Sequence, residues 1–308
     1  MSSMEANLRW SLVTATAPIA WGANYYVTRQ FLPAGHPLYG AALRALPAGL
    51  LLLAVCRRPP RGSWWWKSLV LGFLNMSGFF ALIYVAAQRL PTSAASTVMA
   101  SAPLVMMLFA WALVAERPGP RQLAGAALGV AGVSLMLLTG AVPMDAAGVL
   151  ASVAAMAMSS FGYVLAKRWS AEVDVLASTA WQLLGGGILL VPFAVAVEGA
   201  PPVLDAPALL GFAYVTVVAT ALAFAAWFAG LRRLPAATVG LLGLLNPVTG
   251  VLLGTAIAGE ALTIRQICGL LLTLTGILLG RKGGFLTVRN GRNSARSDNI
   301  NSGLNYRQ

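Results

Sequence analysis

Side chains able to make and break bonds are scarce in this chain. Its one histidine is His36, beside Pro37, and its two cysteines, Cys56 and Cys268, lie near opposite ends. A nucleophile needs a base within reach, and a bound metal needs clustered ligands. A lone imidazole and two isolated thiols supply neither, and they make no disulfide framework. His36 reads as a surface residue, the cysteines as small buried apolar groups. There is no HxxxH or GxSxG arrangement and no ATP-binding loop. An intramembrane hydrolase or transferase is the enzyme alternative, and these residues speak against it. The expectation is a non-enzyme with no cofactor and no metal.

Polar and aromatic residues inside long apolar runs offer a different chemistry, the holding of a solute. Trp21, Asn24, Tyr25 and Thr28 share one helical face by their spacing. Asn75, Phe79 and Tyr84 lie in a later run, Met99 and Ser101 in the next, and then come Tyr163, Trp181, Trp227 and Asn246. A mostly apolar cavity with a few amides and hydroxyls suits an uncharged or zwitterionic solute with a hydrophobic side chain. Each aromatic has a second reading as an anchor at the lipid–water interface, and Trp64-Trp65-Trp66 reads as such a belt. No Asp or Glu falls in the middle of a run, which weakens a carboxylate proton relay. Arg44 is the one charge set well into a run; it can attract a carboxylate, or its long stem can carry the head to the surface. Pro103 and Pro247 interrupt two runs and read as hinges, cavity lining or static packing. Glu116 and Glu260 stand at run ends and read as loop anchors.

These groups need elements to position them. The chain has 308 residues, 58% hydrophobic and only 10% charged, with mean hydropathy +0.75. Soluble domains carry about 25% charged residues. Runs of about 20 apolar residues match the thickness of a bilayer, and ten are expected: 8–28, 37–56, 65–88, 92–115, 120–139, 145–167, 174–197, 207–230, 236–258 and 263–281. They must be helices, because unpaired backbone is prohibitive in lipid. The net charge of +12 is not a nucleic-acid signature, since the basic residues sit in short loops and the tail. With both termini cytoplasmic, the outer loops keep only Arg29, Arg89 and Arg265, in accord with the positive-inside rule. Residues 283–308 read as a disordered basic tail, in part an expression remnant, lying near anionic lipid headgroups.

An internal repeat with an offset of 144 organises the whole. Arg89-Leu90-Pro91 returns as Arg233-Leu234-Pro235, Pro103 as Pro247, Glu116 as Glu260, and Arg121-Gln122 as Arg265-Gln266; Gly125, Leu128 and Gly132 return as Gly269, Leu272 and Gly276. Upstream the match is weaker, with Gly72-Phe73 resembling Gly211-Phe212. Five runs per half is an odd number, so the second half enters the membrane inverted. Inverted repeats are a common construction of secondary transporters. The expected fold is an all-α integral membrane protein, ten transmembrane helices as two inverted five-helix repeats (1–139 and 140–282) around a central cavity.

The segments Glu116–Gly132 and Glu260–Gly276, with Trp21-Gly22 and the Leu-Pro pairs, resemble the repeated signature of the EamA-type members of the drug/metabolite transporter superfamily. Within it the chain looks similar to exporters of aromatic amino acids of the YddG type. The resemblance implies export of amino acids or related metabolites across a bacterial inner membrane; a nucleotide-sugar or other carrier of the same superfamily is the alternative. Expected partners are a small-molecule substrate and membrane lipid, not nucleic acid. Monomer and dimer both stay open.

Overall fold

A computed structural model describes residues 3–33, 35–90, 92–138, 145–258 and 262–281. Every element in them is helical: α1 (Ser3–Phe31), α2 (Pro37–Cys56), α3 (Trp64–Gly72), α4 (Gly78–Arg89), α5 (Thr92–Met99), α6 (Ala102–Val114), α7 (Pro120–Leu137), α8 (Ala146–Trp169), α9 (Val175–Glu198), α10 (Ala206–Thr216), α11 (Ala223–Arg233), α12 (Ala236–Gly243), α13 (Leu245–Ala258) and α14 (Ile264–Arg281). They stack into ten columns, because α3 and α4 are joined by a π-helical turn at Phe73–Ser77, α10 and α11 by another at Val217–Leu222, and α5–α6 and α12–α13 are broken columns. Seven columns are long and apolar enough to cross a membrane, and Ile264–Gly280 is a shorter apolar helix. The expected runs agree with the columns to within a few residues. The Glu260 anchor and the basic tail lie outside the described residues.

Local chemistry explains the boundaries. Asp145, Asp174 and Asp205 cap α8, α9 and α10 by accepting amide hydrogen bonds from the first turn, which satisfies donors a helix start leaves free. The repeated Arg-Gln pair acquires a meaning here. Gln122 Oε1 accepts from Gly119 N at 2.9 Å, and Gln266 Oε1 accepts from Thr263 N at 2.9 Å. Both glutamines fold back to cap the start of their own helix, α7 and α14.

The repeated glycines show how the halves meet. A Cβ on Gly125 would stand 2.5 Å from Gly276 O, and one on Gly132 would stand 2.6 Å from Gly269 O. Numbers rise along α7 as they fall along α14, so these equivalent helices are antiparallel. Adding 144 to one member of each contact and subtracting it from the other turns one contact into the other. That is the mark of a two-fold axis between inverted halves. The column containing α1 packs on α11 and α13, and its counterpart α8 packs on α4 and α6 in the same way. Both π turns obey the same offset, Phe73 corresponding to Val217. The weaker Gly72-Phe73 and Gly211-Phe212 match therefore belongs to a register that the structure does not use.

Candidate functional site

The basic residues gather at one end of the bundle. Trp181 Nε1 donates to Arg58 O at 2.7 Å, Arg232 donates to Val173 O, and Lys67 lies over the Trp169 ring. At this basic end the halves are tied together. Lys167 of α8 pairs with Glu116, beyond α6, at 2.5 Å and also donates to Leu234 O. The second Glu116 oxygen accepts from Ala236 N at 2.8 Å, the first free amide of α12, just after Pro235. Glu116 is thus a loop anchor as expected, and Lys167 is its counterion. At the far end, Glu198 accepts from Leu38 N and Tyr39 N, and Arg89 faces Asp145 at 3.7 Å.

Above the basic clasp sits a plug of rings. Trp227 lies between Trp21 (5.2 Å between centroids) and Tyr163 (5.5 Å), and Phe224 and Phe228 complete the group. These residues come from α1, α8 and α11. Trp227 is buried, and its indole nitrogen has no hydrogen-bond partner among the described residues.

Packing then loosens toward the far end, unequally for equivalent helices. Every residue of α12 from Ala236 to Leu242 is buried. In its counterpart α5, the residues from Ala95 to Met99 are all partly exposed. Phe79, Phe80 and Tyr84 of α4 are partly exposed too, and so are Asn24 of α1, Ser101 and Asn246. The two-fold relation of the fold is therefore broken by packing: α12 at the basic end is held tightly, and its counterpart α5 toward the far end more loosely.

Arg44 points into the bundle. Its Nε donates to Thr220 Oγ1 at 2.7 Å, and Nη2 donates to Ala219 O at 2.9 Å, both in the π turn between α10 and α11. A π turn leaves a carbonyl short of its ordinary helical partner. Ala219 O takes two side-chain donors instead, Arg44 and Trp21 Nε1 at 3.0 Å. Phe80 lies 5.9 Å from the guanidinium. A guanidinium has five N–H donors. Two are used in these bonds, and no carboxylate pairs with Arg44 among the described residues.

Asn24 and Asn246 each hold a buried amide oxygen with no partner among the described residues. They lie beside a close contact of α1 with α13, Gly22 against Asn246 O and Thr249. Asn75 is turned away from this recess: its Nδ2 donates to Gln182 Oε1 at 3.0 Å, and its amide packs on Gly162. Trp181 is also elsewhere, at the basic end against Trp64. Pro103 stands in the first turn of α6 just after the break at Ser101, and Pro247 in the first turn of α13 just after Leu244. Sequence reading missed Ala219, Thr220 and Phe224. Nothing in an apolar run announces a π turn, although the unpaired Arg44 demanded acceptors somewhere.

Known proteins match this architecture. A solved crystal structure shares the fold with a TM-score of 0.78 at 23% identity, over 88% of this chain and 96% of that one. Protein PecM of Dickeya dadantii is 34% identical over 265 residues, 85% of this chain and 89% of its own length. The inner membrane transporter YedA of Escherichia coli is 26% identical, covering 87% of this chain and 89% of that protein. A probable amino-acid metabolite efflux pump of Salmonella typhimurium is 29% identical, over 85% and 91%. The EamA-like transporter family model matches twice, at residues 8–138 and 146–280. This chain, a multi-pass membrane protein with two inverted helical repeats, belongs to the EamA-like transporter family.

Proposed function

We propose that the protein exports amino acids with hydrophobic side chains, or closely related metabolites, by alternating access, with its basic end and both termini in the cytoplasm of a bacterial cell. The observation that carries this reading is the unequal packing of α5 and α12. Two equivalent helices in one molecule hold a loose and a tight environment. Exchanging those environments between the halves would close the far end and open the basic end at little net cost in contacts. The Glu116–Lys167–Ala236 clasp and the ring plug would then be the cytoplasmic gate, Pro103 and Pro247 the hinges, and residues 1–139 and 140–282 the exchanging units.

Substrate class is inferred from the recess. Arg44 carries spare donors beside Trp21 and Phe80, an arrangement fit for a carboxylate next to an apolar side chain. The orphaned oxygens of Asn24 and Asn246 can accept from an ammonium group. The efflux-pump relative in Salmonella adds support by its name. The test is flux of labelled amino acids in liposomes containing the purified protein. Saturable uptake above empty liposomes supports export; no flux for any amino acid would leave a metabolite of another class as the cargo.

A further inference from the structure

A groove of about 560 Å³ opens at the basic end, with Arg57, Arg58, Arg61, Trp64, Asp174 and Trp181 on its walls. We propose that this groove is a binding site for the phosphate ester of an anionic phospholipid headgroup.

Three arginines face one space that holds a single carboxylate, Asp174. Among the described residues no carboxylate pairs with Arg57, Arg58 or Arg61. The acid on the wall, Asp174, is engaged: its Oδ1 accepts from Leu176 N and Ala177 N as the cap of α9. The loop holding the arginines is fixed rather than slack. Arg57 ends α2 in the left-handed region at φ 50°, Gly62 lies at φ 54°, and Arg58 O accepts from Trp181 Nε1. Guanidinium groups pair with phosphate oxygens through parallel N–H bonds, which suits them to a phosphodiester better than to a diffuse ion cloud.

The surroundings choose a lipid over a soluble phosphate. Trp65 and Trp66 are 64% and 52% exposed, and Val55 is 66% exposed. These residues stand next in sequence to the groove-lining Arg57 and Trp64, and exposed tryptophans mark the headgroup level of a membrane.

The experiment uses the full chain in neutral detergent. Thermal unfolding is followed while phosphatidylglycerol, phosphatidylcholine or glycerol phosphate is added. Two triple variants are compared: Arg57→Asn/Arg58→Gln/Arg61→Gln, and Arg117→Gln/Arg121→Gln/Arg168→Gln, which removes equal charge outside the groove. Asparagine is used at 57 because it tolerates φ > 0. Arg61→Gln alone guards against misfolding of the groove triple. The expected result is stabilisation by phosphatidylglycerol beyond phosphatidylcholine, with half-saturation raised about fivefold or more in the groove triple, less in Arg61→Gln, and unchanged in the other triple. Equal lipid response in both triples, or equal response to both lipids, overturns the site. Saturation by glycerol phosphate, with nothing added by the lipid, overturns the lipid assignment. None of these readouts depends on transport.

Discussion

Gly125 touches Gly276 backbone to backbone, and the same contact recurs between Gly132 and Gly269. A side chain on any of the four would push α7 and α14 apart where the two halves meet. Gly132→Ala and Gly276→Ala should each destabilise the protein by about 1–3 kcal/mol, the range of overpacking. Gly40→Ala, within α2 where a Cβ would meet nothing within 4 Å, should leave stability unchanged or raise it by up to about 1 kcal/mol. Thermal unfolding in detergent distinguishes the two sites; equal melting temperatures would remove the glycine contact from the account of how the halves are held.

The Glu116–Lys167 clasp predicts a shift in conformation. Glu116→Gln removes one charge of a pair whose side chains are 18% and 15% exposed, and charge-assisted hydrogen bonds at such depth are worth about 1.5–3 kcal/mol. If the clasp closes the basic end, its loss raises the population open at that end by roughly ten- to a hundredfold. Ala237→Cys, in a background of Cys56→Ser and Cys268→Ser, is buried in the closed state and reports opening. It should react faster with an impermeant thiol reagent added from the basic side when Glu116 is Gln. An unchanged rate would make the clasp a static anchor.

The two halves were readable because the repeated residues are ones whose types are set by backbone geometry. Gln122 and Gln266 cap their helices, and Gly125, Gly132, Gly269 and Gly276 permit a backbone contact. Such requirements survive as identities at fixed spacing. The recess was less legible. Trp21, Tyr163 and Trp227 share one ring cluster, but Trp181, equally aromatic and equally placed within an apolar run, packs at the basic end against Arg58. Helical phase fixes which residues share a face of one helix; it does not say which neighbour that face meets. The π turn at Val217–Leu222 was invisible for a related reason, because Arg44 and Trp21 from other helices bond it, and its own Thr220, which donates to Val215 O, is one of many threonines in apolar runs.

Arg44 separates a structural role from a binding one through the form of the substrate. Arg44→Lys keeps the charge but loses the planar fork that bridges Thr220 and Ala219. If spare guanidinium donors hold a substrate carboxylate, KM for a free amino acid should rise about tenfold or more in Arg44→Gln, in line with a lost charged hydrogen bond. Flux of the corresponding amide, which has no carboxylate, should change little. Equal loss for acid and amide would show that Arg44 serves only to hold the π turn.

Pro103 and Pro247 allow a test of the exchange itself. Both sit one short turn after a break in their column, and neither interrupts a continuous helix. Their environments differ as the halves differ: Gly240 of α12 lies against Pro103 in the tight end, while Ser96, the residue equivalent to Gly240, is partly exposed. Restoring an amide at 103 or 247 by Ala lets the helix extend back across the break and stiffens the joint. Turnover should fall several-fold in Pro103→Ala and in Pro247→Ala, with KM nearly constant and expression intact, because substrate contacts are untouched while the conformational step is slowed. The double variant should be no faster than the slower single one. Wild-type turnover in both single variants would mean that the breaks are fixed features of packing, and that the movement between the loose and tight arrangements of α5 and α12 pivots elsewhere.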